Sequence, residues 1–409
     1  MKKAQALLAF ALLAPAAALA FETVDTLPWP SSGRFPAYPR EEGRPTDLWV
    51  HGGFMRDDNL RRLESDEQSD TVGRLGGGVR HSQRIIGRQT LRLEGRADYY
   101  KFQEASELDH LAYSALADWR WEIGNALAGS VAFGHEHRLA DLGETRLTIR
   151  RMVTATRLSA GGGYLITPRL RLRAGVGTAR AEREAAAQAE TRATSAIGGI
   201  EYVSPLGNTL GVEVRGTDGE APRDEIVAGV AVSNDYRERE VALVGTYGLG
   251  ARLRFDGRLG RTTRRYGDID SRDFEGTTWR VGAEWFPGNK TSLALALYKD
   301  PRSVVDVGAS HMVVQGASFG PSWAATSKLV FSLRLLRERR KFEGDPALAL
   351  VPGTQERDET FNVLRFGIGW EPQRHWEASF AIDRGERESN FADLEYQFAA
   401  VTANLAWRY

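Results

Sequence analysis

Eight arginines recur at alternate positions in segments whose intervening residues are mostly apolar: Arg92, Arg96, Arg171, Arg173, Arg252, Arg254, Arg258 and Arg334. A guanidinium is planar, permanently charged and shaped to pair with carboxylates or phosphates. Set on one face of a sheet, such residues can line a path along which an anionic polymer moves by many weak, exchangeable contacts. Alternatively, they pair across strands with Glu94, Asp98, Asp256, Glu377 and Asp383 and stiffen a wall. Enzymatic chemistry has less to work with. His135 and His137 share a face at i and i+2, half of a metal site, in a chain without cysteine. Glycoside hydrolysis needs two carboxylates about 5–10 Å apart across a sugar, and the adjacent pairs Asp57-Asp58 and Glu41-Glu42 sit in loop-like stretches. There is no Gly-x-Ser-x-Gly elbow. Gly161-Gly162-Gly163 precedes Tyr164, Leu165 and a turn, so it reads as a bend in a strand, since a phosphate loop needs a helix behind it. No catalytic residue, metal or cofactor is expected.

The elements that would hold these arginines are strands. Leu91, Leu93, Gly95, Ala97 and Tyr99 fall on one face, and Arg92, Glu94, Arg96, Asp98 and Tyr100 on the other. The same alternation runs through 111–121, 169–176 and 252–259, for longer than a soluble sandwich strand of about 5 or 6 residues sustains it. From residue 46 onward the unit is a strand, a short turn, a strand and a longer polar loop. Short turns are expected near Ile85-Ile86-Gly87, Gly124-Asn125, Thr167-Pro168, Ser204–Asn208, Gly248-Leu249-Gly250, Pro287-Gly288-Asn289, Ala325-Thr326-Ser327 and Glu371-Pro372-Gln373. Loops rich in charge and glycine fall between them, at 58–69, 103–109, 138–147, 182–191, 217–235, 263–273, 300–309, 341–358 and 387–393. The expected fold is all-β: a transmembrane antiparallel β-barrel of about 18 strands, with 16 the nearest alternative, occupying residues 46–409. The 217–235 and 341–358 loops are the candidates to fold inward as a constriction.

The ends agree with export. Lys2 and Lys3, the apolar run Ala6–Leu13 and Ala18-Leu19-Ala20 make a signal segment over 1–20, cleaved before Phe21. A proline-rich periplasmic lead-in follows at 21–45. Charged residues make up 26% of the chain, which in a barrel reflects lumen-facing positions rather than a soluble surface. Lys+Arg and Asp+Glu balance at 54 each, so net charge leaves no footprint for nucleic acid. The last strand alternates Val401, Ala403, Leu405, Trp407 and Tyr409 against Thr402, Asn404, Ala406 and Arg408. An alternating apolar strand ending on an aromatic is the form of signal that the barrel-assembly machinery reads. Trp119, Trp121, Trp279, Trp285, Trp370, Trp376 and Trp407 are placed to form girdles at the lipid–water boundary of a Gram-negative outer membrane.

Several stretches carry a family resemblance: Asp58-Asn59-Leu60, Leu108-Asp109-His110, Trp119-Arg120-Trp121, Asn234–Glu240, Gly320-Pro321-Ser322-Trp323 and Phe342–Pro346. With them the mature chain resembles the EpsL-type outer-membrane proteins of exopolysaccharide biosynthesis, associated with exosortase/PEP-CTERM systems and grouped with β-barrel porins. The resemblance implies a role in making or exporting an extracellular polysaccharide, with the polymer and periplasmic export components as partners, and supplies no catalytic residues. The alternatives are a general diffusion porin and, from another class, a surface-facing enzyme that trims polysaccharide or lipid.

Overall fold

The computed structural model describes residues 45–409 except 144–149, 185–189, 222–224, 228–229, 269, 307–308 and 344–354. The expected signal segment, and the lead-in up to residue 44 with its Glu41-Glu42 pair, lie outside the described residues. The strands are β1 (Thr46–Asp57), β2 (Asp70–Arg84), β3 (Thr90–Phe102), β4 (His110–Ile123), β5 (Leu127–Leu139), β6 (Met152–Thr167), β7 (Leu170–Arg183), β8 (Glu190–Val203), β9 (Thr209–Glu220), β10 (Glu225–Val227) and β11 (Val230–Val232). They continue with β12 (Tyr236–Leu249), β13 (Leu253–Tyr266), β14 (Phe274–Trp285), β15 (Thr291–Asp306), β16 (Ala309–Ala324), β17 (Leu329–Glu343), β18 (Asp358–Gln373), β19 (Trp376–Ser389) and β20 (Tyr396–Arg408).

Eighteen of these form one antiparallel sheet in which each strand pairs with its chain neighbour, β9 passes to β12, and β1 returns to pair with β20; β10 and β11 make a separate hairpin. The seam runs in register from Trp49↔Arg408 to Asp57↔Ala400. The sheet therefore has no free edge, which removes the aggregation hazard of long apolar strands. No helix among the described residues is long and apolar enough to cross a membrane; the crossing is made by strands, whose backbone groups are satisfied only because the sheet closes.

Seven of the eight expected short turns connect strands, all at the end that carries Thr46 and Tyr409. Gly124 and Gly207 there adopt φ of +61° and +81°, a region that costs a residue with a Cβ. The last turn differs from expectation: β18 continues through Pro372, the register shifts between Trp370 and Gln373, and Arg374-His375 make the reversal. Proline has no N–H for the ladder, and a bulge absorbs the gap. At the other end the strands outrun the expected loops: β15 extends to Asp306 and β16 starts at Ala309, where a loop over 300–309 was expected.

Alternation fixes which face meets lipid. In β3, Leu93 and Tyr99 are exposed while Asp98 is buried; in β20, Val401, Leu405, Trp407 and Tyr409 are exposed while Thr402 is buried. The buried side belongs to the lumen, where aromatic rings lie across glycines of the neighbouring strand: Trp49 over Gly78, Tyr236 over Gly219, Tyr298 over Gly316 and Phe398 over Gly385. A Cβ at Gly316 would drive into the Tyr298 ring, whose hydroxyl donates to Glu338. Gly316→Val should therefore destabilise the barrel by about 1–3 kcal/mol through overpacking. Thermal unfolding in detergent reads this; an unchanged midpoint would mean that the ring is free to swing away.

Candidate functional site

The lumen wall is a connected set of ion pairs. Glu201 (β8), Glu213 (β9) and Glu240 (β12) are almost fully buried and are shared among four arginines. Arg171 pairs with Glu201, and Arg173 lies 3.7 Å from Glu201 and 3.9 Å from Glu213. Arg215 is 3.2 Å from both Glu213 and Glu240, and Arg258 reaches Glu213 at 2.7 Å and Glu240 at 2.6 Å. Thr278 donates to Glu240 at 3.1 Å. Farther round, the fully buried Glu338 accepts the Tyr298 hydroxyl and faces Arg302 at 3.5 Å and Arg340 at 2.7 Å. On the β1–β3 side, Asp98 gathers His51 at 2.6 Å, Arg74 at 2.9 Å and Arg96 at 2.6 Å, while Glu94 holds Arg80 at 2.8 Å and Arg92 at 2.6 Å. Charge-assisted bonds shared in this way fix each side chain in place.

Of the eight arginines singled out in the sequence, Arg92, Arg96, Arg171, Arg173 and Arg258 thus enter the lumen anchored by carboxylates. Arg254 is half exposed and meets Glu284 at 3.4 Å. Arg252 sits in the turn before β13 rather than on the strand. Arg334 is exposed on the lumen face and stands opposite Arg365, itself held by Asp383. Among the described residues neither Arg252 nor Arg334 has an ion pair, and of the two only Arg334 stands on a strand's lumen face. His135 and His137 do not begin a metal site. They share the outward face with Tyr113, bond Thr156 at 2.9 Å and Thr154 at 2.8 Å, and stack on the Tyr113 ring. No cluster of three metal-ligating side chains occurs among the described residues.

The outer mouth holds the second element. Met55, Leu60, Val72, Phe102, Leu108, Leu139, Leu142 and Ala400 form one apolar cluster, which draws the 58–69 loop and the 105–108 turn together. Asp57 and Asp58, a carboxylate pair in sequence, both serve this packing. Asp57 takes a bidentate pair from Arg62 at 2.8 Å, while Asp58 bonds the Ala399 N–H at 2.7 Å. Asn59 donates to the carbonyls of Leu63 at 2.7 Å and Gln397 at 2.8 Å, tying the loop to β20. Arg62 also lies over the Phe398 ring, 3.8 Å from its centroid. Burial pulls the Arg62 guanidinium pKa down, and Asp57 more than restores it, so the net shift is upward.

From the other side, the turn after β5 reaches the same place. The Gly143 carbonyl accepts from Arg387 of β19 at 2.5 Å, Arg387 also donates to the Leu394 carbonyl at 2.6 Å, and a Cβ on Gly143 would meet the Tyr396 hydroxyl at 2.8 Å. Arg387 is buried and stacks on Tyr396 at 4.4 Å. β5 and β19 are six strands apart around the wall, so this contact is a brace across the mouth. Of the loops expected to fold inward, 217–235 contributes buried Ala221, Val232 and Asn234; most of 341–358 lies outside the described residues. The loop at 58–69 is where it was expected, but its packing into the mouth and the Gly143–Arg387 contact are signalled in the sequence only by the isolated apolar Leu60 and Leu142 in polar loops.

No family model matches this chain, and no curated protein matches it. Solved structures similar in architecture include the outer membrane protein OpdK of Pseudomonas aeruginosa, at 10% identity and TM-score 0.46, covering 89% of this chain and 99% of that one. OccK2 (OpdF) of the same organism, crystallised with glucuronate, gives 14% and 0.48, covering 89% and 97%. A mutant of its ferric enterobactin receptor PfeA gives 8% and 0.45, covering 90% and 81%. The described strands of this chain close into one antiparallel 18-strand barrel.

Proposed function

We propose that the barrel is a diffusion channel that admits small anionic solutes across the outer membrane. The observation that carries this reading is the brace at the mouth, where the Gly143 carbonyl is bound to Arg387 across six strands. A brace fixed across the mouth takes cross-section from the opening, which suits small solutes better than bulky ones. The exopolysaccharide role that the resemblance implies would draw on the same lumen arginines as the channel reading, and the surface-facing enzyme reading loses Asp57 and Asp58 to loop packing. The anionic preference rests on the lumen wall, where Arg334 carries an uncompensated charge and four arginines share three carboxylates over β7–β13. The outward row Val401, Ala403, Leu405, Trp407 and Tyr409 on the seam strand is, on this reading, the segment that the assembly machinery receives.

Single-channel recording of the refolded barrel in a salt gradient tests the proposal. Wild type should pass chloride in preference to potassium, and Arg334→Glu should move the reversal potential toward the cation side, because it reverses the one charge of the set that stands on a lumen strand without an ion pair among the described residues. Unaltered selectivity in Arg334→Glu would remove this arginine from the permeation path. A silent bilayer, or conductance blocked by acidic oligosaccharide but indifferent to small anions, would overturn the channel reading in favour of a scaffold or a polymer path.

A further inference from the structure

The outward face of β17 changes character partway along. From the end that carries Thr46 and Tyr409 its outward residues run Leu329, Phe331, Leu333 and Leu335, then Arg337, Arg339 and Lys341. The first four lie in the apolar band, with Phe331 stacked on Trp323 and Phe366 of the flanking strands. The next three are cations on the side of the long loops. Lys299 and Arg339 both pair with Gln315 of the strand between them, and Trp279 of β14 pairs with Lys299. One row across four strands therefore reads Trp279, Lys299, Gln315, Arg339, with Lys299 and Arg339 about 10 Å apart at the backbone. An interfacial tryptophan beside cations marks the headgroup level of the outer leaflet.

Four acidic groups face this patch. Asp358 pairs with Arg339 at 2.6 Å, Glu343 lies 3.5 Å from His311 and close to Lys299 and Lys341, Glu386 accepts from Asn362, which stands opposite Arg337, and Glu388 stands across Thr360 from Arg339. Arg337 itself has no ion pair among the described residues. The β1–β6 sector differs at this height. Its outward positions there carry Arg56, Tyr99, Lys101, Leu111, Tyr113, His135, His137, Thr154 and Thr156, so its two cations, Arg56 and Lys101, lie on different strands and do not form a row.

We infer that Lys299, Arg337, Arg339 and Lys341 form a lateral site for a phosphorylated headgroup of an outer-leaflet glycolipid. Guanidinium forks suit phosphate oxygens, and the apolar row below Arg337 offers a surface for acyl chains. The site lies on the outside of the barrel, so it is independent of what passes through the lumen.

The test uses the refolded full barrel in detergent, with a diphosphorylated glucosamine glycolipid of the lipid A type, its dephosphorylated form and inorganic pyrophosphate as probes. Native mass spectrometry should show the diphosphorylated lipid retained and the dephosphorylated form lost. Binding should weaken at least about tenfold in Arg337→Gln/Arg339→Gln/Lys341→Gln, since each cation near a charged headgroup contributes to the attraction. Lys101→Gln on the opposite sector should bind as wild type does. Equal affinity in the triple variant, or equal weakening by Lys101→Gln, would overturn the site. Displacement of the lipid by pyrophosphate at matching concentration would assign it to free anions instead. If the triple variant does not fold, Arg337→Gln alone decides, because it breaks no ion pair of the folded barrel.

Discussion

Arg387→Ala should raise the conductance of the barrel and lower its thermal stability together. The side chain is buried, donates to two carbonyls on different loops, stacks on Tyr396, and lies 3.8 Å from the fully buried Glu359. Its removal frees the Gly143 turn from β19 and leaves Glu359 with Arg357 at 2.6 Å as its remaining cation. Breaking a buried pair from one side costs about 3–5 kcal/mol, and the retained Arg357 places the expected loss near the lower end, about 3 kcal/mol. Arg387→Lys separates the two roles: it keeps a charge near Glu359 but cannot fork between the Gly143 and Leu394 carbonyls. It should recover stability more than it recovers the narrow mouth. If Arg387→Ala leaves single-channel conductance unchanged, the brace does not restrict the path. If the unfolding midpoint is also unchanged, the buried contact contributes nothing to the fold.

The barrel itself is legible in the sequence because one physical rule governs it: residues facing lipid must be apolar and their neighbours need not be. Leu91 to Tyr100 show that rule directly, and so does the seam strand ending at Tyr409. Reading stops where the rule stops. Beyond Leu335 the alternation continues in space but both faces are charged, Arg337, Arg339 and Lys341 outward against Glu338 and Arg340 inward. The strands thus extend past where an amphipathic signal ends, and β15 runs on to Asp306 for a similar reason. Pro372 looks like a turn and is a bulge, because proline is excluded from the ladder and not from the strand's path. In the lumen, the arginines stand out by their spacing, but the carboxylates that hold them do not. Glu201, Glu213 and Glu240 lie on three neighbouring strands, β8, β9 and β12, and meet only once β9 pairs with β12 across the intervening loop. The brace is further still from view, since Arg387 and Gly143 are 244 residues apart in the chain and neither belongs to a periodic pattern.

The carboxylate at the centre of that network provides the second large effect. Glu240 receives Arg215 at 3.2 Å, Arg258 at 2.6 Å and Thr278 at 3.1 Å, and it is almost wholly buried. Glu240→Gln keeps the shape and an acceptor for Thr278 but removes the charge, so Arg171, Arg173, Arg215 and Arg258 would share only Glu201 and Glu213. The buried arginines then carry uncompensated charge, at a cost of about 3 kcal/mol, and their excess field reaches the lumen. Thermal stability should fall, and the reversal potential in a salt gradient should move further toward chloride than in wild type. Arg258→Gln should move it the opposite way, because Glu213 and Glu240 would each lose a partner. Combining the two substitutions should return selectivity most of the way, and the shortfall from additivity measures their coupling. Opposite shifts from Glu240→Gln and Arg258→Gln require that permeating ions feel this wall. Equal selectivity in wild type and both variants would mean that the pairs only stiffen the sheet and that the path runs elsewhere in the lumen.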